Sequence, residues 1–298
     1  MTRGNFGRLI AAIAFPILLL HWSPAQCQTR TEAVRMNHIS VIAEGAGPPV
    51  VLIPGLSSPR AVWDGQAAAL AAKHRVFLVQ INGFGGDDPG ANLKPGVLDG
   101  VVADLDAFIV REKLGRPAIV GHSLGGLATL MFAKAHPEHV SRAMLVGCLP
   151  FYGMVFGPTA TPAAIQPQAA AMRDKLAASF GKPDPAGAAA TADHLALDPD
   201  SRAKVKAWVL AADQRVAAEA VYEDLQTDLR GDLAGIATPI TVVYSWSEAG
   251  PKPVADAIYK GAYAAAPHVT YVDIGAAGHF IMLDQPEPFL RALLAFAG

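Results

Sequence analysis

The sequence predicts an α/β fold, built on a doubly wound, mostly parallel sheet with a helical segment inserted late in the chain. Three observations predict it. Short continuous apolar runs alternate with stretches of helical periodicity in the first half of the chain. Glycine-rich turns follow three of these runs, at Gly55, at residues 83–86 and at residues 121–126. Residues 149–238 then lack strand-like runs, and the alternation resumes after them.

Strands and helices that alternate with short connections imply parallel strands, joined by right-handed crossovers, with helices on both faces of the sheet. Ligands bind beyond the carboxyl ends of such strands, so the glycine-rich turns should surround a concave site. The predicted strands of this half are an edge strand at 36–42 and buried strands at 49–54, 75–81, 118–122 and 140–146, with helices at 61–73, 97–114 and 124–135.

Residues 149–238 are alanine-rich and predict a helical cap, because long insertions in open α/β sheets commonly lie over the ligand-binding edge. The predicted core therefore consists of residues 26–148 and 239–298. The cap helices are expected near 164–180, 201–210 and 214–225, and the core resumes with strands at 239–244 and 269–274 and helices at 253–265 and 286–296.

The first 25 residues have the pattern of a secretory signal peptide. Arg3 and Arg8 precede an apolar stretch at residues 9–20, and small residues stand before a cleavage position at Gln26. We therefore expect an exported protein, periplasmic or secreted, with no stable membrane insertion after removal of residues 1–25. The alternative is an uncleaved N-terminal anchor. Cys27 and Cys148 are the two cysteines, and the sequence leaves open whether they pair.

Composition limits the function classes. The chain of 298 residues is long enough for one large domain with an insertion, and its net charge of -2 comes without any basic run or stripe. Nucleic-acid binding is therefore not expected. No group of cysteines and histidines has the spacing of a metal site, and no metal or cofactor is expected. The oligomeric state stays open.

The residues Gly121-His122-Ser123-Leu124-Gly125 join a buried strand to a helix and match the pattern G-x-S-x-G in the setting that this motif needs. A strand that turns into a helix at one residue strains that residue, and the neighbouring chain comes so close that only glycine fits two positions before and after it. We therefore interpret Ser123 as a nucleophile held at the sheet edge. The alternative is an incidental serine in a glycine-rich turn.

A serine nucleophile needs a base within hydrogen-bond reach and a third group that orients the base. His279 lies in a glycine-rich loop after the last predicted strand, at the edge where Ser123 should project. Glu248 is the only carboxylate in the loop after the preceding strand, which gives the chain order serine, acid, histidine. We predict the catalytic set Ser123, His279 and Glu248, with Asp256 and Asp273 as weaker candidates for the acid.

An oxyanion needs preorganised donors. The backbone N–H of Leu124, at the start of the helix after the nucleophile, should be one of them. The second should come from the loop after the first buried strand, where the N–H of Leu56 is the best placed. Both are main-chain donors, so the identity of these side chains says little about the chemistry.

Together these motifs resemble the α/β-hydrolase superfamily, in the branch with a helical cap after the sixth strand. The resemblance runs from Asn37 to the C-terminus and is weakest in the cap. Residues 54–56 resemble the oxyanion loop, 82–85 the G-x-G turn and 278–280 the histidine loop of the family. The chain departs from the family pattern where Pro54 replaces a histidine, Asn82 a frequent aspartate, Ser245 a glycine and Glu248 an aspartate.

The resemblance implies a sheet of the α/β-hydrolase type and acyl chemistry at Ser123. We expect a carboxylesterase for small or medium apolar esters that works through an acyl-enzyme. The alternatives are a C–C bond, lactone or amide hydrolase or a perhydrolase on the same triad, and an inactive hydrolase-fold protein that binds a ligand. The large apolar side chains of the cap are expected to form its core more than to line a pocket; they are Phe151, Tyr152, Met154, Phe156 and Trp208.

Overall fold

One eight-stranded sheet forms the centre of the protein, in the order β1-β2-β4-β3-β5-β6-β7-β8. The computed structural model describes residues 1–2 and 31–298. β1 and β2 run antiparallel to their neighbours, whereas all pairs from β4–β3 to β7–β8 are parallel. The strands are β1 Val34–Arg35, β2 Ile39–Glu44, β3 Pro49–Ile53, β4 Arg75–Ile81, β5 Ala118–His122, β6 Arg142–Val146, β7 Ile240–Trp246 and β8 Val269–Ala276.

Helices cover both faces of this sheet, which confirms the predicted α/β class. The edge strand predicted at 36–42 is wrong in detail, because residues 36–38 form a bend and the strand β2 begins at Ile39. The edge of the sheet is β1, which lies before the predicted range and pairs with β2. The helices are α1 Asp64–Ala71, α2 Val97–Arg111, α3 Leu124–Ala135, α4 Pro162–Ala177, α5 Pro185–Leu195, α6 Pro199–Ala211, α7 Gln214–Gln226, α8 Lys252–Ala262, α9 Ile281–Asp284 and α10 Pro286–Ala297.

The parallel strands are apolar along their whole length because both of their faces are buried. One layer of the core lies between the sheet and α2 and α3, where Phe77, Phe108 and Leu127 are almost completely buried. The other layer lies beneath α1 and α10, where the rings of Trp63 and Phe289 stack at 6.1 Å between centroids. The two layers fix the carboxyl edge of the sheet as a rigid platform.

Helices α4–α7 form an insertion between β6 and β7, as the sequence predicts; we call these four helices the cap. The boundaries 149–238 stay a prediction. The cap is fastened to the core by α7. The Glu223 carboxylate accepts hydrogen bonds from the N–H groups of Gly96, Val97 and Leu98 at 2.6–3.0 Å and so closes the N-terminus of α2.

Helix α5 was not predicted, because the stretch Lys182-Pro183-Asp184-Pro185 looks like a break between helices. The break is instead a helix start. The Asp184 side chain accepts a hydrogen bond from Gly187 N–H at 2.9 Å, and Pro185 occupies the first helical position. Aspartate followed by proline is a preferred N-terminal pair, so a signal for α5 was present in the sequence.

The predicted signal peptide, residues 1–25, lies outside the described residues except for residues 1 and 2. Cys27 also lies outside them. Cys148 is buried and has no disulfide partner among residues 31–298. Within the described residues, no helix combines the length and the apolar character that crossing a membrane requires.

Candidate active site

The junction of β5 and α3 is a strand-to-helix elbow at Ser123. The serine has φ 51° and ψ -120°. Among the non-glycine residues of 31–298, only Ser57 and Lys113 also have a positive φ. Such a backbone costs about 1–3 kcal/mol and persists where the surroundings enforce it. The Ser123 N–H is held by the Val146 carbonyl at 2.9 Å, and α3 begins at the next residue. The hydroxyl therefore stands at the carboxyl edge of the sheet, at a helix N-terminus.

The glycines around Ser123 are required by close packing of backbone on backbone. A Cβ on Gly121 would lie 2.1 Å from the Gly125 carbonyl oxygen, and a Cβ on Gly125 would lie 2.4 Å from the Pro54 carbonyl oxygen. Neither carbonyl can move without shifting a strand end or the helix. The two glycines thus let α3 approach both β5 and the loop after β3, as the motif requires.

We expect Gly125→Ala to destabilise the protein by about 3 kcal/mol, because its Cβ would be forced onto the carbonyls of Ile53 and Pro54. Urea unfolding followed by tryptophan fluorescence measures this loss. Gly65→Ala in α1 is the matched control, because a Cβ there meets nothing within 4 Å and its stability should stay within about 1 kcal/mol of wild type. Equal stabilities of the two variants would contradict the packing described for the elbow.

The loop after β3 forms a tight turn beside Ser123. The Ser58 N–H bonds to the Gly55 carbonyl at 3.2 Å, and Ser57 within this turn has φ 55°. A Cβ on Gly55 would lie 3.1 Å from the Ser123 Cβ, so the turn abuts the nucleophile. The N–H of Leu56, at the second position of the turn, has no acceptor within residues 31–298. The predicted donors Leu56 and Leu124 therefore lie on the two backbone segments that flank Ser123.

His279 lies at the same edge of the sheet. Its Nδ1 would be 3.4 Å from a Cβ on Gly147, which directly follows Val146, the residue that holds the Ser123 N–H. Ser123 and His279 also line the same cavity. No hydrogen bond joins the two side chains in the described structure; apo active sites often show such loose pairs. The structure thus brings the predicted nucleophile and base to one place.

His122 fixes the loop that carries the base. Its Nε2–H donates to the His279 carbonyl at 3.0 Å, and its ring lies 4.8 Å from the His279 ring. Burial, and then the charge of His279, lower the pKa of His122 well below its ordinary value. A neutral His122 therefore ties the nucleophile elbow to the histidine loop. This role left no signal in the sequence, because His122 and His279 are 157 positions apart in the chain.

Burial, together with the nearby charge of His194, lowers the pKa of His279 to about 4. The imidazole is therefore neutral at physiological pH, which is the state that a general base requires. Within residues 31–298, no carboxylate forms an ion pair or a hydrogen bond with this imidazole. No carboxylate of these residues therefore pairs directly with His279 to raise its pKa.

Glu248 is exposed in the loop after β7 and lies in a small surface cavity with Leu197, Trp246 and Ala276. The structure does not bring it into contact with His279, and its role as the acid stays a prediction. The weaker candidates Asp256 and Asp273 bind Lys252 instead. The loop of Glu248 is nonetheless linked to the histidine loop, because the Ser245 hydroxyl donates to the Gly278 carbonyl at 3.0 Å.

Asp284 is a further residue that the sequence analysis did not single out. Its carboxylate accepts from the Gly278 N–H at 2.8 Å, the Leu197 N–H at 2.9 Å and the Asp198 N–H at 3.2 Å. It therefore joins the histidine loop to the α5–α6 connection of the cap. Because these partners are far apart in sequence, spacing alone gives no signal for the contact.

The space between the cap and the sheet edge is a cavity of about 720 Å³. Ser123 and His279 lie at its base, and its walls are mostly apolar. Tyr152 and Trp208 line it, whereas Phe151 is buried in the cap and Phe156 is 48% exposed. The expectation that these side chains mainly fill the cap core is thus only partly met. The lining includes one buried carboxyl group, Asp224.

The fold and this site define a protein of the α/β-hydrolase class: a strained serine begins a helix at the carboxyl edge of a parallel sheet, beneath a helical insertion. The comparison with known proteins agrees. The model of the alpha/beta hydrolase family matches residues 50–292. The chain belongs to this family.

Among curated proteins, the chain is 28% identical over 268 residues to a pimeloyl-[acyl-carrier protein] methyl ester esterase of Aeromonas hydrophila subsp. hydrophila, covering 87% of this chain and 99% of the relative. Among solved structures, an esterase from Exiguobacterium antarcticum matches 91% of this chain and 99% of its own, with a TM-score of 0.73 and 19% identity. A thermophilic esterase from Thermogutta terrifontis matches 89% and 98%, with a TM-score of 0.72 and 21% identity. At these identities the structural matches show the fold.

Proposed function

We propose that this protein is a serine esterase that cleaves carboxylic esters of small or medium apolar substrates through an acyl-enzyme. The observation that carries the proposal is the strained Ser123 at the base of an apolar cavity that it shares with His279. A relative that spans almost the same length is a methyl ester esterase, which supports the reaction class. The apolar walls support the substrate class.

The proposed reaction uses these groups in turn. His279, neutral because of burial, takes the proton of the Ser123 hydroxyl as the oxygen attacks the ester carbonyl. The N–H groups of Leu56 and Leu124 stabilise the oxyanion of the tetrahedral intermediate. The imidazolium of His279 then protonates the departing alcohol, and an acyl-enzyme on Ser123 remains. Water, deprotonated by His279, attacks the acyl group and releases the acid and the free serine.

We propose Glu248 as the group that orients His279 and stabilises its charged form. It follows the strand whose end contacts the histidine loop through Ser245 and Gly278. Because Glu248 is exposed in the free protein, this role requires its loop to move by the time that His279 gains a proton. Pairing would then raise the pKa of His279 from its low value in the free enzyme.

The pH profile reports on this pairing. In the free enzyme His279 gains a proton only as the pH falls through about 4, so kcat/KM should stay level from pH 7 to about 5 and fall below about 4. Hydrolysis of a soluble ester at each pH measures the profile, and fluorescence confirms folding in each buffer. Glu248→Gln should lower kcat and leave the acid limb of kcat/KM in place. If kcat/KM of the wild type instead fell below about pH 7, and Glu248→Gln shifted this fall to lower pH, His279 would already be paired in the free enzyme. That result would contradict the unpaired His279 described above.

The substrate class is tested with p-nitrophenyl esters of acetate to dodecanoate. We expect kcat/KM to be highest for short or medium acyl chains and to decline for the longest, because the cavity has about 720 Å³. Hydrolysis of the corresponding anilides or lactones in preference to every ester would favour the alternative acyl reactions. Binding of esters without any turnover would favour the inactive ligand-binding protein.

We also propose that the protein is exported after removal of residues 1–25, as the N-terminal charge and hydropathy pattern indicates. Intact-mass analysis of the full-length chain, produced with its native N-terminus, tests this. A mature N-terminus at Gln26 in a periplasmic or culture fraction is expected. Full-length protein retained in the membrane fraction would instead indicate the uncleaved anchor.

A further inference from the structure

Asp224 places a carboxyl group inside the apolar cavity. It lies on α7, is 6% exposed, and lines the same cavity as Ser123 and His279. Among the described residues, no side chain or backbone group forms a hydrogen bond or an ion pair with this carboxyl. The surrounding cap residues are apolar: Val221 and Leu225 of the same helix pack with Phe151 in a buried cluster.

A buried polar group without a partner is costly, and a buried charge is costlier still. Burial raises the pKa of Asp224 to about 7. Burial raises the pKa values of the Cys148 thiol and the Tyr152 phenol, and the charge of Asp224 raises both further. Neither neighbour offers a cation. A leucine would fit this apolar wall at no such cost, so a ligand that supplies the missing partner explains the carboxyl group.

We propose that Asp224 recognises a hydrogen-bond donor, a hydroxyl or an ammonium group, on an otherwise apolar substrate. This inference rests on the proposed esterase function and narrows its substrate class to esters with a polar group away from the scissile bond. Asp224 and Ser123 line the same cavity, which is the observation that locates the subsite.

Matched substrates test this. We compare p-nitrophenyl esters of straight-chain acids of six to eight carbons with those of the ω-hydroxy and ω-amino acids of the same lengths, because shorter substituted esters would cyclise unaided. At the best length, wild type should prefer a substituted ester over the plain one by about tenfold or more. Asp224→Leu should remove this preference. The substituent for which the preference is lost, hydroxyl or amine, identifies the donor that Asp224 binds. An unchanged preference in Asp224→Leu, or none in wild type, would overturn the proposal.

A binding measurement separates this inference from the proposed function. Ser123→Ala and Ser123→Ala/Asp224→Leu are titrated with hexan-1-ol, hexane-1,6-diol and 6-aminohexan-1-ol by calorimetry. If the diol or the amino alcohol binds more tightly than hexan-1-ol to Ser123→Ala, and not to the double variant, the subsite is supported even if wild type hydrolyses no ester. Equal binding by both proteins contradicts it even if wild type is an active esterase. Asp224→Val, which also lacks an acceptor, replaces Asp224→Leu in both experiments if the leucine variant does not fold.

Three side chains cluster at the end of α3 that lies farthest from Ser123. Asp106 on α2 meets His136 and His139, which follow α3. The Asp106 Oδ1 lies 2.6 Å from the His139 Nδ1 and 3.4 Å from the His136 Nδ1, and the three atoms lie within 4.8 Å of one another. The Glu138 Oε1 is 3.8 Å and 3.9 Å from the two imidazole nitrogens. All three primary groups are half-buried.

We propose that this cluster binds one divalent transition metal ion, with zinc as the best match. Two imidazole nitrogens and a carboxylate oxygen suit zinc, and Glu138 or water can complete a tetrahedral set. Cysteine and histidine spacing predicted no metal site, because Asp106 joins the two histidines only in the folded chain. The site is structural, because the twelve residues of α3, about 18 Å of helix, separate it from Ser123.

Metal-free protein without an affinity tag is titrated with ZnCl₂, and bound zinc is counted by mass spectrometry after dialysis. We expect one zinc ion per chain and a rise in Tm, with no response to Mg²⁺. The double variant His136→Asn/His139→Asn should lose both effects, and His268→Asn, which changes an exposed histidine elsewhere, should keep them. Asp106→Asn serves if the double variant does not fold. No zinc uptake by wild type, or equal uptake by the cluster variant, would overturn the proposal.

Discussion

Replacing the hydroxyl of Ser123 by hydrogen should reduce ester hydrolysis by a factor of about 10⁴–10⁶ in kcat/KM, because no other group at the elbow can form the acyl-enzyme. The fold should be unaffected, since alanine carries the same Cβ as serine and the Ser123 N–H would still bond to the Val146 carbonyl. Initial rates with a p-nitrophenyl ester and Tm by circular dichroism measure the two effects for Ser123→Ala.

Ser141→Ala is the matched control. Ser141 lies at the opposite end of the sheet and uses its backbone N–H to bond to the Pro117 carbonyl, a bond that alanine retains. Its rate should equal that of wild type. A Ser123→Ala protein that keeps more than a tenth of the wild-type rate would show that hydrolysis occurs elsewhere, and the proposed mechanism would then be wrong.

His279→Gln should have the second largest effect, a loss of about 10³–10⁶ in kcat/KM, because the amide cannot take the serine proton. Glutamine retains the backbone carbonyl to which His122 donates, so the loop should stay in place. The residual rate should also lose the acid limb expected near pH 4, since its titrating group is gone. Rates between pH 3.5 and 8 measure both effects.

His268→Gln serves as the control for that series, because His268 is exposed and lies before β8, away from the cavity. It should keep the wild-type rate and the wild-type pH profile. If kcat/KM of His279→Gln still fell near pH 4, protonation of a group other than His279 would cause that fall. His194, whose charge reaches His279 from the cap, would then be the next group to replace.

The sequence was most informative where local sterics dictate one solution. The elbow needs Gly121 and Gly125 because carbonyl oxygens occupy the space of their Cβ atoms, and this requirement is visible as a motif. The β-strands buried on both faces are visible as apolar runs. The helical insertion is visible as the absence of such runs between β6 and β7.

Features set by contacts between distant segments gave no such signal. Asp284 touches Gly278, Leu197 and Asp198, and only the folded chain brings these backbone groups together. The buried position of Asp224 depends on how α7 packs, because its charge alone suggests a solvated helix residue. The triad acid was predicted from the order of the motifs along the chain. Chain order identifies the loop that should carry the acid, but it does not say where the side chains of that loop point. Glu248, which is exposed, illustrates this limit.

The central claim is that Ser123 is an activated nucleophile within an accessible cavity. Labelling with a fluorophosphonate, followed by intact-mass analysis of wild type and Ser123→Ala, tests it most directly. One covalent adduct on wild type, with none on Ser123→Ala, is the predicted result. An unmodified, well-folded wild-type protein, or an adduct that persists in Ser123→Ala, would contradict the account.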